Sequence, residues 1–178
     1  MPRPLPKTVA RRIARVRVFL CDVDGVLTDA AVYVGAGGEF KAFNIQDGLG
    51  LQLLQRGGIR VGWVSSRPST ATQQRAEELK IDFLHQGKES KITAVERILG
   101  QAGLGWDDLC YAGDDVVDLG VLQRAGVAIA VANAVDDVRA VAHYVTRAEG
   151  GHGAVREAAE LLLKTQKKWA PLLAEYSQ

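Results

Sequence analysis

The chain has 178 residues, of which 47% are hydrophobic and 24% charged, and its formal net charge at pH 7 is +1. These values are typical of one globular domain with a sizeable core, and they give no indication of binding to nucleic acid or to a membrane. The charge is uneven, because residues 1–17 hold six basic side chains and no acidic one. For residues 1–16, a basic N-terminal arm, we expect a solvated first helical turn or a frayed end rather than a binding element.

Two features of the sequence bear on where the protein acts. The apolar run after the basic arm is short and is interrupted by Asp22 and Asp24, which is unlike a secretion signal, and no segment approaches transmembrane length. Cys21 and Cys110 lie in separate apolar runs, a pattern that predicts buried thiols in a reducing compartment. We therefore expect a cytoplasmic protein.

The first predicted strand, residues 16–21, is rich in β-branched and apolar residues and ends directly at an acidic pair. Asp22 and Asp24 are two residues apart, and Gly25 follows them. A solvated turn would also use Asp and Gly. Two carboxylates at the end of a buried strand are nevertheless costly unless a cation lies between them or one stays protonated. We therefore interpret them as a functional site.

Residues 31–34 and 39–43 form two short alternating runs around a group of glycines, which predicts a β-hairpin. We assign residues 30–44 to this hairpin insertion. Leucines at positions 49, 51, 53 and 54 then predict a helix that ends at the glycine pair 57–58.

The rest of the chain alternates between apolar strands and helices. We predict strands at residues 59–64, 81–84, 109–112, 127–131 and 143–145. We predict helices at residues 70–79, 92–99, 135–142 and 154–169, a further helix through 121–122, and a break at Pro171. This alternation predicts an α/β fold with a doubly wound, mostly parallel, Rossmann-like sheet. The chain is then a single domain over residues 1–178, in which residues 146–178 form a glycine-rich tail and the C-terminal helix.

The polar clusters all follow the carboxyl ends of predicted strands. In a doubly wound sheet these ends meet at one edge, and ligands bind there. The clusters are Asp22 with Asp24, Ser65 with Arg67, the loop 88–91, and Asp114 with Asp115.

An edge that offers carboxylates, a hydroxyl and a lysine suits phosphoryl transfer. Grouped carboxylates bind a hard cation such as Mg²⁺, and the lysine and hydroxyl can hold phosphoryl oxygens. One aspartate can attack as a nucleophile while a second protonates the leaving oxygen. A cysteine phosphatase is excluded, because Leu27 and Val116 stand where its arginine would follow each cysteine by six residues.

The segment 22–26, with the sequence DVDGV, resembles the DxDG(V/T) signature of haloacid dehalogenase-type phosphatases. Ser65, Lys91 and the segment 113–118 resemble the second, third and fourth motifs of that family, in the same order. Further segments resemble the branch that acts on 3-deoxy-D-manno-octulosonate 8-phosphate (KDO 8-phosphate): residues 22–29, 40–44, 47–48, 85–87, 144–147 and 150–157. The resemblance covers nearly the whole chain and implies a fold without a large cap domain.

The resemblance implies catalytic roles for the matching residues. Asp22 would be the nucleophile, and Asp24 would be the general acid and base. Ser65 and Lys91 would hold the phosphoryl oxygens, with Lys88 as the alternative lysine.

The resemblance also implies a Mg²⁺ site. Its residues would be Asp22, Asp24 through its backbone carbonyl, Asp114 and Asp115. Asp115 would bind through water or orient the site, and Asp118 would support the ligands or cap the loop.

The implied substrate is a small sugar-acid phosphate of lipopolysaccharide precursor synthesis. The implied substrate-binding residues are Ser65, Ser66, Arg67, Lys91, Lys41, Asp47 and Gly151. For Lys41, Asp47 and Arg67 a contact with another subunit is the alternative, because this branch uses the hairpin to build a homotetramer in which a neighbour covers each site. The segment around Gly151 would fold over the pocket.

Three alternatives stay open at this point. A sister branch acts on nine-carbon 2-keto sugar acid 9-phosphates, and the departures at Gln46 and Ser66 bear on which sugar acid fits. A receiver-type signalling domain also holds an acid pair and a phosphoaspartate, but there the phosphorylated residue follows a later strand than the pair. A non-catalytic oligomeric scaffold would be expected to lack Asp22, Asp24 or Lys91, and all three are present.

Overall fold

The computed structural model describes residues 5–177, which include a six-stranded sheet and a two-stranded hairpin. The strands are β1 (Val18–Cys21), β2 (Tyr33–Gly35), β3 (Gly38–Phe40), β4 (Arg60–Ser65), β5 (Phe83–Gln86), β6 (Leu109–Gly113), β7 (Val127–Ala130) and β8 (Tyr144–Val145). The helices are α1 (Lys7–Ile13), α2 (Ile45–Arg56), α3 (Thr70–Glu78), α4 (Lys91–Ala102), α5 (Leu119–Leu122), α6 (Asp136–Val141), α7 (Ala154–Thr165) and α8 (Trp169–Ala174).

The large sheet has the order β5-β4-β1-β6-β7-β8, and each neighbouring pair is parallel. The chain winds outward from β1 to β5 and then returns to β6 on the other side of β1. This reversal makes the doubly wound arrangement, so the fold predicted from alternating strands and helices is confirmed. The crevice of such a sheet lies at the carboxyl ends of the two strands where the winding reverses, here β1 and β6.

The centre of the sheet is buried on both faces. Every residue of β1, β6 and β7 is buried, as expected for parallel strands covered by helices. The largest fully buried side chains include Trp63 and Tyr111. Cys21 and Cys110 are free and buried, as predicted, and burial raises the pKa of both thiols.

The hairpin predicted within residues 30–44 is present as the antiparallel pair β2 and β3. All six residues of its two strands are exposed. The rings of Tyr33 and Phe40, which are cross-strand partners, stack with their centroids 5.3 Å apart. Apart from this hairpin, residues 5–177 contain no inserted unit that could serve as a large cap.

The basic arm differs from the expectation of a solvated turn or frayed end. From Lys7 it forms α1, which buries Val9 and Ile13. The Gln166 side-chain amide donates to the carbonyls of Ile13 and Val16, at 2.9 and 2.8 Å. The arm is therefore a packed helix from residue 7 onward, because its apolar residues are spaced one helical turn apart. Residues 1–4 of the arm lie outside the described residues.

Several predicted boundaries differ from the structure. The strand expected at residues 81–84 is β5, two residues later, because the Asp82 carboxylate accepts from the Val61 amide at 2.7 Å and takes the place of a strand carbonyl. The helix predicted over residues 154–169 is α7, which ends at Thr165 rather than near Trp169. Just after its end, Lys167 adopts φ +59, which is not a right-handed helical conformation. Pro171 does not end a helix but lies in the first turn of α8, where no backbone N–H is needed.

In the part of the chain that the structure describes, no helix is long and apolar enough to cross a membrane.

Candidate active site

Asp22 and Lys91 form the centre of the site, although they are remote in sequence. Asp22 directly follows β1, and Lys91 is the first residue of α4; both are buried. The Lys91 Nζ atom lies 2.6 Å from Asp22 Oδ2 and 2.7 Å from Asp118 Oδ1. The Tyr111 hydroxyl on β6 also donates to Asp118 Oδ1, at 2.8 Å. One lysine is thus held between two carboxylates at the predicted edge of the sheet.

Asp114 completes this group, and we call Asp22, Lys91, Asp114 and Asp118 the carboxylate cluster. Oxygen atoms of its three aspartates lie within 4.8 Å of one another. Burial first, and then the charge of the neighbouring aspartates, raises the pKa of Asp22 to about 6 and that of Asp114 to about 7. Lys91 opposes this rise at both groups.

The carboxylate cluster fits a divalent cation. Asp114 Oδ1 is buried and has no hydrogen-bond partner among the described residues. Three carboxylates against one lysine leave a charge of about −2 when all are ionised, which a divalent cation would balance. An all-oxygen donor set is the kind that Mg²⁺ prefers.

Asp115 and Asp118, the two other acidic residues of this loop, lie in different surroundings. Asp115 is exposed, and its Oδ1 accepts from the Val116 amide at 2.7 Å, so it is not part of the carboxylate cluster. Asp118 is fully buried and is part of it. Asp118 Oδ2 accepts from the Asp114 amide at 3.1 Å, which ties the loop that carries Asp114 to the site. A supporting role for Asp118 agrees with these contacts, and a role for Asp115 through water stays a prediction.

Asp24 lies in a second charged group, which we call the hairpin ring: Asp24, Lys41, Glu39 and Arg67. Lys41 Nζ is 2.7 Å from Asp24 Oδ1 and 3.8 Å from Glu39 Oε1. Arg67 contacts Glu39 Oε2 at 2.6 Å and lies 3.8 Å from Asp24 Oδ2, which closes the ring. The structure therefore brings the predicted residues Asp24, Lys41 and Arg67 together.

Glu39 is the member of the hairpin ring that sequence reasoning missed. It lies on β3, two residues before Lys41, so both side chains of an alternating strand segment can point to the same face. The two-residue spacing between Glu39 and Lys41 was the sequence signal that could have indicated Glu39 as a site residue. The pairing of Glu39 with Arg67 could not have been predicted from the sequence, because the two residues lie on separate elements.

Ser65 is the last residue of β4 and is buried, whereas Ser66 is exposed. The strand register pairs Cys21 with Trp63, so Ser65 lies level with the loop that follows Asp22. The Ser65 hydroxyl is held at 3.1 Å by the Arg67 backbone amide. Ser65 therefore reaches the predicted edge of the sheet with a fixed side chain.

Gly25 and the glycine-rich segment 150–153 pack closely around the acidic loop. Gly25 adopts φ +94, and a Cβ atom on it would lie 2.0 Å from Asp114 Oδ2. A Cβ on Gly150 would lie 1.8 Å from the Gly25 carbonyl oxygen. The Gly151 amide donates to the Val26 carbonyl at 3.0 Å. Gly151 is thus next to the loop, but its amide is already bonded there; its predicted contact with substrate gains no support.

The structure does not bring Asp47 to either charged group. Its two carboxylate oxygens accept from the amides of Gly153 and Arg156, at 3.2 and 2.7 Å. These amides belong to the N-terminal turn of α7, where backbone N–H groups lack partners within the helix. Asp47 therefore caps α7 and joins α2 to it.

A doubly wound sheet whose first strand ends in DxDG, with a lysine and a second acidic loop at the same edge, defines a haloacid dehalogenase-type hydrolase. A model of the haloacid dehalogenase-like hydrolase family matches residues 81–157. The 3-deoxy-D-manno-octulosonate 8-phosphate phosphatase KdsC of Yersinia pestis is 39% identical over 93% of this chain and 89% of its own length.

Solved structures agree with that classification. A probable YrbI family phosphatase from Pseudomonas syringae is 38% identical, with a TM-score of 0.94 over 97% of this chain and 99% of its own. The 3-deoxy-D-manno-octulosonate 8-phosphate phosphatase of Moraxella catarrhalis, solved with a magnesium ion, a phosphate ion and KDO, is also 38% identical. Its TM-score is 0.91, over 94% of this chain and 97% of its own. The chain belongs to the haloacid dehalogenase-like hydrolase family and, within it, to the 3-deoxy-D-manno-octulosonate 8-phosphate phosphatases.

Proposed function

We propose that this protein is a Mg²⁺-dependent phosphatase that hydrolyses KDO 8-phosphate to KDO and phosphate, as a step in the synthesis of lipopolysaccharide precursors. The observation that carries the proposal is the pairing of Asp22 with Lys91 at 2.6 Å, beside Asp114, where the winding of the sheet reverses. That arrangement supports the assignment of a nucleophile, a cation and a metal site to one point of the fold. The relatives that cover nearly the whole chain supply the identity of the sugar acid.

In the first step Asp22 attacks the phosphorus atom. A bond forms between a carboxylate oxygen and phosphorus, and the bond from phosphorus to the sugar oxygen breaks. Lys91 and Ser65 hold the phosphoryl oxygens in the orientation that this displacement needs. Asp24 donates a proton to the leaving oxygen, so the sugar acid departs as a neutral alcohol at that position.

In the second step water hydrolyses the aspartyl phosphate. Asp24 takes a proton from the attacking water, and the bond between Asp22 and phosphorus breaks to release phosphate. Asp22, Asp114 and the Asp24 carbonyl would hold Mg²⁺, with Asp118 behind them. Bound there, the ion would supply positive charge to neutralise the phosphoryl oxygens.

The sugar acid itself would contact the hairpin ring. Arg67 is about half exposed at the mouth of the site and lies beside Ser66. A guanidinium there would bind the carboxylate of a 2-keto acid through paired hydrogen bonds. This contact would distinguish sugar-acid phosphates from plain sugar phosphates.

We also propose a homotetramer in the cytoplasm, with a neighbouring subunit covering each site. The support is the hairpin, where apolar side chains are exposed together. These are Val32, Tyr33, Val34 and Phe40, with Ile45 nearby. Such a patch is typical of a surface that another protein covers. Mass measurement in solution tests the assembly: Phe40→Ser together with Val34→Ser should give smaller species, and a wild-type monomer would contradict the proposal.

The function is tested by phosphate release in the presence of Mg²⁺ from a panel of sugar phosphates and 2-keto sugar-acid phosphates. We expect strong preference for KDO 8-phosphate and loss of turnover both with a chelator and in Asp22→Asn. Preference for a nine-carbon acid phosphate would keep the mechanism and change the substrate. A stable phosphoprotein without turnover would indicate a receiver, and an inert wild-type protein would indicate a scaffold.

A further inference from the structure

We propose that Lys41, supplied by the hairpin, is a positioning residue that orients the Asp24 carboxylate for proton transfer. Lys41 holds Asp24 Oδ1, which leaves Asp24 Oδ2 as the oxygen that delivers the proton to the departing sugar alcohol. The inference rests on the proposed phosphatase function. It gives Lys41 a role that is separate from contact with the substrate or with another subunit.

The contacts of Lys41 carry the first step of this inference. Its Nζ atom lies 2.7 Å from Asp24 Oδ1, the length of a strong charge-assisted hydrogen bond. The Lys41 side chain is only 3% exposed, whereas lysines are rarely buried unless they are paired. Its second neighbour, Glu39, is farther away, at 3.8 Å. The geometry therefore directs the ammonium group mainly to one oxygen of Asp24.

The two oxygens of Asp24 differ, and this difference carries the second step. Oδ1 is bound to Lys41, while Oδ2 is buried and has no hydrogen-bond partner within residues 5–177. The Arg67 guanidinium lies 3.8 Å from Oδ2, which is beyond hydrogen-bond distance. A buried carboxylate oxygen without a donor is costly in the free protein, so its retention needs a reason. Transfer of a proton to and from substrate atoms supplies that reason.

Lys41 neither donates nor accepts a proton in either step of the proposed reaction. When Asp22 attacks and the phosphorus–oxygen ester bond breaks, the proton on Asp24 Oδ2 moves to the leaving oxygen. When water attacks the aspartyl phosphate, Asp24 takes one proton from that water and is restored. Lys41 stays protonated throughout and contributes by fixing one rotamer of Asp24, because only a near-attack orientation transfers a proton efficiently.

Because Lys41 belongs to the hairpin insertion, the insertion contributes to the site of its own subunit as well as to the proposed contact between subunits. Lys41 directly follows β3, and Glu39 on β3 is bound to Arg67 at 2.6 Å. These two ion pairs tie the hairpin to the loops after β1 and β4. The exposed insertion therefore contributes to the geometry of the general acid, while the phosphoryl-binding residues come from the core.

The test compares the rate of leaving-group release by Lys41→Met with that of the wild-type protein for two substrates with different leaving groups. The rates are measured in the first turnover, so that hydrolysis of the aspartyl phosphate does not contribute to them. KDO 8-phosphate needs a proton on its departing alcohol, whereas p-nitrophenyl phosphate releases a stable phenolate. We expect release of KDO to slow roughly 10- to 100-fold and release of nitrophenol to slow less than about threefold. Lys41→Arg, which keeps a donor, should restore most of the rate with KDO 8-phosphate.

Two controls separate this role from a structural one. Lys164→Met removes an exposed lysine that pairs with Glu160 at 2.6 Å on α7, and it should change neither rate. The mass of the assembly is measured for each variant. Equal slowing of both substrates, a change in KM alone, or dissociation of the Lys41→Met assembly would each overturn the proposal.

The same data separate failure of this inference from failure of the proposed function. Wild-type protein that releases nitrophenol but no KDO would reject the proposed substrate. The rate for an alkyl phosphate that the protein accepts would then be compared with the rate for p-nitrophenyl phosphate. If Lys41→Met left the ratio of these two rates unchanged, the role of Lys41 would still be overturned. A wild-type protein that cleaves no phosphate ester would overturn both proposals.

Discussion

The carboxylate cluster and the hairpin ring are both groups of four charged residues at one edge of the sheet, but they are built differently. The members of the cluster come from the loop after β1, from α4 and from the segment after β6, and Asp22, Lys91 and Asp118 are buried. The ring takes two members from the hairpin, and its Arg67 side chain is 47% exposed. The phosphoryl group would thus meet the core of the fold, while the leaving group meets an insertion.

Their charges differ as well. The cluster has three carboxylates and one lysine, so it carries excess negative charge and depends on a cation. The ring has two acids and two bases, so it is balanced without a metal. On the proposed function, the comparison assigns the side chains around the metal to the cluster and the side chains around the leaving group to the ring.

The largest expected effect comes from removing Lys91, the lysine of the carboxylate cluster. Lys91→Met leaves Asp22 and Asp118 buried and without their shared partner, which costs about 3–5 kcal/mol in the free energy of unfolding. We also expect kcat to fall roughly 100- to 1000-fold. Urea unfolding and phosphate release measure the two effects. Lys41→Met in the ring is the matched comparison, and an equal loss of stability there would contradict the distinction between the two groups.

Close packing around the acidic loop predicts the next largest effect. Gly150→Ala would place a Cβ atom 1.8 Å from the Gly25 carbonyl oxygen, which is backbone and cannot turn aside. We expect a loss of about 2–3 kcal/mol in the free energy of unfolding, measured with urea, and weaker Mg²⁺ binding. Gly37→Ala in the hairpin is the control, since among the described residues only Gly37 and its two chain neighbours have atoms within 4 Å of its Cβ position. Equal stability of both variants would show that the loop can move.

The cluster also predicts how Mg²⁺ stabilisation depends on pH. The pKa of Asp22 is raised from 3.8 to about 6 and that of Asp114 from 3.8 to about 7, by burial and by neighbouring carboxylates. The folded protein therefore keeps protons that the unfolded chain has lost, so this contribution to stability is present below about pH 4 and is lost as pH rises through about 6 to 7. Mg²⁺ favours the ionised carboxylates and should offset that loss.

Thermal unfolding with and without Mg²⁺ measures this effect. We expect a small increase in Tm at about pH 5 and an increase of several degrees at about pH 7.5, because the cation competes with protons at low pH. Asp114→Asn should reduce both the increase and its pH dependence. The same increase at both pH values would argue against binding at the cluster.

The smallest expected effect lies in the ring. Glu39→Gln weakens the pair with Arg67, which is partly exposed and contributes at most about 1 kcal/mol. The freed guanidinium should bind the substrate carboxylate more readily, so KM for KDO 8-phosphate should fall up to about fivefold. A phosphate ester without a carboxylate should show no such change. A higher KM for KDO 8-phosphate would mean that Glu39 orients Arg67 rather than competing for it.

Much of the fold followed from the sequence, because apolar strands alternating with helices have few stable arrangements. The hairpin and the order of the acidic loops were also predictable, since they depend on local patterns. The shifted start of β5 was not, because it depends on the contact of Asp82 with Val61, which lie 21 residues apart. The same holds for α1, whose burial depends on packing next to Gln166.

The sequence by itself determined that Asp22, Asp24, Ser65, Lys91 and Asp114 would share one edge, because the carboxyl ends of parallel strands converge. Only the tertiary structure decided which charges are partners. It placed Lys91 between Asp22 and Asp118, and it made Asp47 a helix cap rather than part of the site. The physical reason is that a hydrogen bond depends on side-chain direction to within a fraction of an ångström, and packing between elements sets that direction.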